Sequence, residues 1–425
     1  MRHERLLSAA TRGSVAAFFI LSLSLAACGG PGGGGASGGT ITIASDLPVS
    51  GTDAAVGLPT QYGVELAVSQ NTDLGHGYTL KFTAKNDEGA SGADPTVGAA
   101  NIRSLLADPS VIAIVGPFNS GVAASEIPVA ENGGIVLMSP TNTNPGLTKE
   151  QYAQANGINF SQLHPNGVKE YYFRVCATDD VQGKVDAQIA ADAPISAKTA
   201  YVVDDSTTYG KGLANFFTQN FTQNGGTVVG NQSISATQVS SLPSLASTIN
   251  SKNPDVVFYG GVTSQGGGAL KKDLVAAGYS KAMVGGDGIA DDPGWLTTAG
   301  TAAANTYGTV AAPDTSSLTS SDAAKFKTDY ATFVSSKPNN ALLPYSAQAY
   351  AAAQIEIAAI KSVINSGQAP TRANVRDAIA SGTFNTIIGS ISFDKNGDNS
   401  GQKVFSIYAV GSDGASWSFD KSVTA

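Results

Sequence analysis

Short β-branched runs alternate with longer amphipathic stretches over almost the whole chain from Thr40 onward. That alternation is the sequence form of βα units laid on a parallel sheet, and it confines the fold to the α/β class. Strands are predicted at 41–44, 80–84, 111–115 and 135–138, with helices over 61–69, 95–106 and 123–132. An irregular stretch, 141–166, interrupts the series. A second series starts at Tyr171-Tyr172-Phe173-Arg174-Val175, with strands at 199–203, 226–230, 255–259 and 282–285 and helices over 213–224, 242–251 and 268–277. Two late helices, 347–364 and 372–381, precede β-like runs at 387–393 and 403–410, so the chain is expected to revisit its first lobe before it ends. No exact short-period repeat is present, which sets solenoids and propellers aside.

The region before Thr40 has a different character. Arg2, Arg5 and Arg12 precede an apolar run from Val15 to Leu25, and Leu25-Ala26-Ala27-Cys28 is followed at once by a Gly-rich segment reaching Gly39. A basic start, a short apolar run and small residues before a cysteine have the layout of a bacterial lipoprotein signal. Cleavage would follow Ala27, and the Cys28 thiol would carry a diacylglycerol; several acyl chains together make a stable anchor where one alone does not. Gly/Ser-rich linkers behave as flexible coils, so 28–39 reads as a tether. About 385 residues then remain for the folded body, enough for two or three domains. The whole chain carries −8, and losing the leader's charges leaves −10. An acidic body argues against nucleic acid and against an electrostatic membrane patch. With Cys28 lipidated only Cys176 remains, so no intramolecular disulfide can form.

Catalysis has no visible carrier. The body offers His76 in a Gly-His-Gly turn and His164 in a Pro-containing loop, both expected to face solvent, and one thiol. Gly35-Ala36-Ser37-Gly38-Gly39 fits the nucleophile-elbow pattern but lies in the tether, without the strand and helix that mechanism needs. Gly261 through Lys272 lacks the Lys-Ser/Thr ending of a phosphate loop and reads as a turn into a helix. Asp394-Lys395-Asn396-Gly397-Asp398 starts like a calcium loop, yet Asn399 and Phe405 stand where glycine and a bidentate glutamate belong, so a polar hairpin is expected. Asp204-Asp205 and Asp291-Asp292 read as solvated loop pairs. No enzyme activity, cofactor or metal is expected.

Several ordered patterns together resemble the type I periplasmic binding proteins of ABC importers, in particular the branched-chain amino-acid receptors. They are Leu47-Pro48-Val49-Ser50-Gly51, Val111 through Pro117 with Ser120, Ser139-Pro140 with Asn144-Pro145-Gly146-Leu147-Thr148, Phe173-Arg174-Val175 with Asp179-Asp180-Val181-Gln182-Gly183, and Tyr209-Gly210-Lys211-Gly212. The resemblance implies two Rossmann-like lobes with parallel central sheets, joined by three crossovers and closing on one small molecule. The corresponding division is a leader at 1–27, a tether at 28–39, one lobe from 40–176 with 312–388, and the other from 177–311 with 389–425. It also implies a monomeric, lipid-anchored extracytoplasmic receptor that hands its ligand to a permease with its ATPase.

For the ligand, the start of the helix after Phe118-Asn119-Ser120 offers backbone N–H groups and a hydroxyl to a carboxylate. The resemblance places Thr141 and Thr143 beside it and Tyr209 on the second lobe's side, and assigns Asp287 to the ligand's ammonium. Val56 and Val262 stand where these receptors commonly carry aromatics, and Asn119 and Asn142 add polarity to an otherwise apolar wall, favouring a ligand with polar groups of its own. Two other readings share the fold: a receptor for an amide, urea or organic acid, and a tethered sensory receptor with no transport role.

Overall fold

The computed structural model describes residues 38–165, 171–235, 237–238 and 242–425. The leader and Cys28 lie outside the described residues. Among those described, no helix is long and apolar enough to cross a membrane.

The chain opens with β1 (Thr40–Leu47), α1 (Ala54–Ser69) and the hairpin β2 (Asp73–Gly75) with β3 (Tyr78–Asn86). A short ladder, β4 (Glu88–Gly89) with β5 (Gly92–Ala93), leads to α2 (Pro95–Leu106), β6 (Val111–Val115), α3 (Ser120–Gly133) and β7 (Val136–Ser139). The irregular stretch contains two single-turn helices, α4 (Glu150–Ala153) and α5 (Phe160–Leu163), before β8 (Tyr172–Arg174). These strands form one sheet in the order β2-β3-β1-β6-β7-β8, parallel except for β2. β8 therefore closes the first sheet rather than opening the second series, because its backbone finds its ladder on β7.

The second lobe begins with α6 (Asp179–Ala191), then β9 (Thr199–Asp204), α7 (Thr208–Gln223), β10 (Thr227–Ser233), α8 (Leu242–Lys252) and β11 (Val256–Gly260). α9 (Gly267–Ala276), β12 (Ala282–Gly285), α10 (Pro293–Ala299) and β13 (Thr306–Val310) follow. The chain then returns to the first lobe for α11 (Ser321–Phe333), α12 (Pro344–Asn365), α13 (Arg372–Ser381) and the hairpin β14 (Thr383–Thr386) with β15 (Gly389–Ser392). It ends in the second lobe with β16 (Val404–Val410) and β17 (Trp417–Thr424). The second sheet runs β10-β9-β11-β12-β13-β16-β17, and its last two strands are antiparallel, so it is mixed rather than purely parallel. The expected division between 388 and 389 falls inside the β14–β15 hairpin. Its strands pair, and Ile387 and Ile391 both pack in the first lobe's core, so the last crossover comes after Phe393.

Local chemistry explains the better-read elements. α2 begins where Asp94 accepts the Thr96 N–H at 2.7 Å, with Pro95 at the first helical position. α12 is buried along most of its length, and Ala347, Ala349, Ala351, Ala352 and Ala353 keep it slim enough to pack inside the first lobe's core beside α1. Gly63 makes that approach obligatory, since a Cβ there would stand 2.2 Å from the Ser346 carbonyl oxygen.

Candidate functional site

The first lobe's wall starts where β6 ends. Gly116 turns with φ of 145°, and a Cβ there would meet the Asp46 carbonyl at 2.3 Å, so only glycine lets the chain cross the end of β1. Phe118 and Asn119 follow, and Ser120 opens α3. The Ser120 Oγ sits at the mouth of the helix and accepts from the Asn144 N–H at 3.5 Å. Asn119 stands at the cap without capping the helix through its side chain, and no donor among the described residues reaches its Oδ1.

The facing wall comes from the loop after β12. Asp287 Oδ1 accepts from Gln182 Nε2 at 2.8 Å and from the Tyr209 hydroxyl at 3.0 Å, and its Oδ2 accepts from the Tyr345 hydroxyl at 2.7 Å. Burial raises the Asp287 carboxyl above its ordinary range, and these three donors offset that in part. Burial also holds both phenols well above their usual value, so they remain protonated donors. Tyr209 itself is fixed by the Gly288 N–H, which donates to its hydroxyl at 3.0 Å. The Phe118 and Tyr345 rings meet edge to face at 5.9 Å.

Two adjoining cavities lie between these walls. One of about 300 Å³ is lined by Ser120, Thr208 and Tyr209. A narrower one of about 40 Å³ is lined by Phe118, Asp287 and Tyr345. Both touch Asp53, Asn119 and Val262. The lobes also bond across the cleft, where Asn144 Nδ2 donates to the Thr208 carbonyl at 2.7 Å and Gln265 Nε2 to the Ser91 carbonyl at 2.9 Å.

The structure thus gathers Phe118, Asn119, Ser120, Tyr209, Val262 and Asp287 at the cleft, and leaves Thr141, Asn142 and Thr143 off both cavity walls. The Thr141 hydroxyl donates to the Phe118 carbonyl at 2.6 Å. Asn142 is fully buried; its amide donates to the same carbonyl at 2.6 Å and accepts from the Tyr172 hydroxyl at 2.9 Å. It braces the loop from behind and adds no polarity to the wall. The Thr143 carbonyl accepts from the Asp179 N–H at 2.8 Å, which ties the loop to the second lobe's first helix. Arg174 holds the same loop: its Nη1 donates to the Asn142 and Asn144 carbonyls at 3.0 and 2.7 Å, and its Nε to Asp398 at 2.7 Å.

Four other expectations are corrected. His164 is buried, with Nδ1 at 2.6 Å from Glu131 and Nε2 at 3.0 Å from the Leu147 carbonyl. Asp205 is buried and accepts from the N–H groups of Thr207 and Val262, both at 2.9 Å. Asp292 is buried and caps α10 through the Gly294 N–H at 2.7 Å. Asp398, expected in a polar hairpin, is the buried partner of Arg174 and Lys149. For His164, Asp205 and Asp398 short-range loop signals hide a partner distant in sequence, whereas Asp292 is a local helix cap. Asp291, expected in a solvated loop, lines the narrow cavity, and Gln182 supports Asp287 from behind it; Tyr345, which the sequence did not single out, reaches Asp287 across 58 positions of chain.

A two-lobed α/β body with a donor-rich wall facing a carboxylate across a closed cleft is a solute-binding protein rather than an enzyme. The periplasmic binding protein family profile matches residues 40–415, and the chain belongs to that family, whose place is extracytoplasmic. The Leu/Ile/Val-binding protein BraC3 of Rhizobium johnstonii is 28% identical over 374 residues, covering 87% of this chain and 91% of the relative. Among solved structures, the branched-chain amino-acid substrate-binding protein LivJ of Streptococcus pneumoniae, in complex with isoleucine, aligns with a TM-score of 0.73 at 23% identity, covering 91% of this chain and 99% of that one. A solute-binding protein of R. palustris in complex with benzoate aligns with a TM-score of 0.69 at 22% identity, covering 91% and 95%.

Proposed function

We propose that this protein is the receptor of an ABC importer for an α-amino acid, anchored through lipid on Cys28 and delivering its ligand to a membrane permease. The observation that carries the reading is Asp287: a cleft carboxylate supplied with three neutral donors and no cation. A ligand ammonium completes it, and a charge-assisted bond of this kind contributes about 1.5 to 3 kcal/mol. Across the cleft, Ser120 and the first N–H groups of α3 meet the ligand carboxylate at the positive end of a helix dipole. Both halves of a zwitterion are satisfied only when the lobes are closed, so the ligand favours closure through contacts the open form lacks. The relatives named as Leu/Ile/Val-binding proteins support an amino-acid ligand. An aromatic acid such as benzoate, bound by one structural neighbour, brings no cation to Asp287.

The test is calorimetry on protein freed of co-purified ligand by unfolding and refolding. An α-amino acid should bind, and Asp287→Asn should weaken it about ten- to hundredfold. Binding of benzoate or an amide in its place, with Asp287→Asn indifferent or improved, would transfer the reading to the organic-acid or amide class. For the anchor, Cys28→Ser should move the protein from the membrane fraction to the soluble one.

A further inference from the structure

The narrow cavity beside Asp287 is short of charged hydrogen-bond donors. Its hydroxyls are already committed to protein acceptors: Thr60 to the Val56 carbonyl at 2.8 Å, Thr263 to the Gly288 carbonyl at 3.3 Å, and Tyr345 to Asp287. Among the described residues no lysine, arginine or histidine lines it, and the Asn119 amide is its one uncommitted side-chain donor. Its acceptors, by contrast, are left over. Asp291 faces the cavity from the same loop as Asp287, in a left-handed turn with φ of 55°, and no donor among the described residues hydrogen-bonds its carboxylate. The Asn119 Oδ1 opposite is likewise without a donor. Asp53 and Asp292 add two more carboxylates to the lining. The space between is walled by Phe118, Val262 and Leu343.

A carboxylate largely removed from water, with like charges as neighbours and no donor, is costly unless something brings it a proton or a cation. Burial, with Asp314 and Asp292 close by, pushes Asp291 up to about 7. Apolar walls ending in an unmatched carboxylate suit a methylene stem that carries a charged head.

We infer that Asp291 is a specificity-determining residue that selects an α-amino acid with a cationic side chain, an amine or guanidinium on a methylene stem, over one with an apolar side chain. This rests on the amino-acid reading of Asp287 and names the class of ligand within it. Asn119 supplies a further acceptor to the same head group.

The probes are L-lysine and L-norleucine, which share a stem and differ at its end. Calorimetry on the wild type should give lysine at least tenfold the affinity of norleucine, and Asp291→Asn should shrink that ratio at least tenfold, with circular dichroism confirming its fold. Equal or tighter binding of norleucine by the wild type overturns the inference without needing any variant, as does a ratio that Asp291→Asn leaves alone. If norleucine binds through Asp287 while lysine gains nothing, only this inference falls. If neither binds, this inference falls, and the amino-acid reading falls with it only when the other α-amino acids fail in the same calorimetry.

Discussion

Asp398 and Asp287 are aspartates taken out of water near the junction of the lobes, and they are satisfied in opposite ways. Burial alone would raise the Asp398 carboxyl, yet the Arg174 and Lys149 charges bring it below its ordinary value. Asp287 receives only neutral donors and stays raised. The difference separates a fixed joint from an unmatched group: one carboxylate carries its cation within the fold, and the other meets no cation among the described residues. The largest expected effect tests the joint. Arg174→Met leaves Asp398 without its buried partner and frees the Asn142 and Asn144 carbonyls, so urea unfolding should show a loss of about 3 to 5 kcal/mol. A loss below about 1 kcal/mol would erase the distinction. Because the folded value of Asp398 is depressed, its contribution is present at neutral pH and is lost as pH falls through that value.

A third acidic region sharpens the contrast. Asp46, Asp87 and Glu126 are buried together in the first lobe, with carboxylate oxygens within 4.8 Å of one another, and Asn101 donates to Asp46 at 3.0 Å. Here burial raises Asp46 to about 7 against the hydrogen bonds of Glu126 and Asn101, which lower it, and burial together with the neighbouring carboxylates raises Asp87 and Glu126 well above their usual range. The folded state therefore holds protons that the unfolded chain has released. Stability should be greatest near pH 4 and should fall as pH rises toward 7, by something of the order of 4 kcal/mol for Asp46 alone. Asp46→Asn keeps an oxygen for Asn101 and should flatten the decline between pH 5 and pH 8. A variant with the wild-type slope would remove Asp46 from the cluster's titration.

The arrangement of elements was legible because it is written in local periodicity: α2 and β6 fall where apolar spacing places them. α11 was missed because its exposed face dilutes the apolar period, α6 because buried Asp179, Gln182 and Asp186 interrupt it, β13 because Thr306, Gly308 and Thr309 leave it few apolar residues, and β17 because most of it is exposed. The cleft was read unevenly for the same reason. Ser120 and Asp287 follow strands directly, so a strand, turn and motif locate them. Asn142 looked like a wall residue and is a brace, since only Phe118 and Tyr172 in three dimensions reveal where its amide points. Tyr345 left no signal, because nothing near it in sequence announces a carboxylate 58 positions away.

The smallest effects lie at Asp287 itself. Asp287→Asn should cost affinity while leaving unfolding stability within about 1 kcal/mol of wild type or above it, because it removes a carboxylate that no protein cation matches. Opposite signs for binding and stability at Asp287, against a pure stability loss at Arg174, would complete the comparison. Tyr345→Phe is finer still. It deletes the 2.7 Å bond to Asp287 Oδ2 and keeps the ring against Phe118. The bond holds the Asp287 carboxylate rather than touching the ligand, so affinity for an α-amino acid should fall only about two- to tenfold. The Tyr345 hydroxyl also lowers the Asp287 carboxyl from the value burial alone would set, so its loss raises that carboxyl further. More of the variant is then protonated at Asp287 as pH falls, and its deficit relative to wild type should widen as pH is lowered. A deficit independent of pH would mean that the Tyr345 hydroxyl positions Asp287 without shifting its titration.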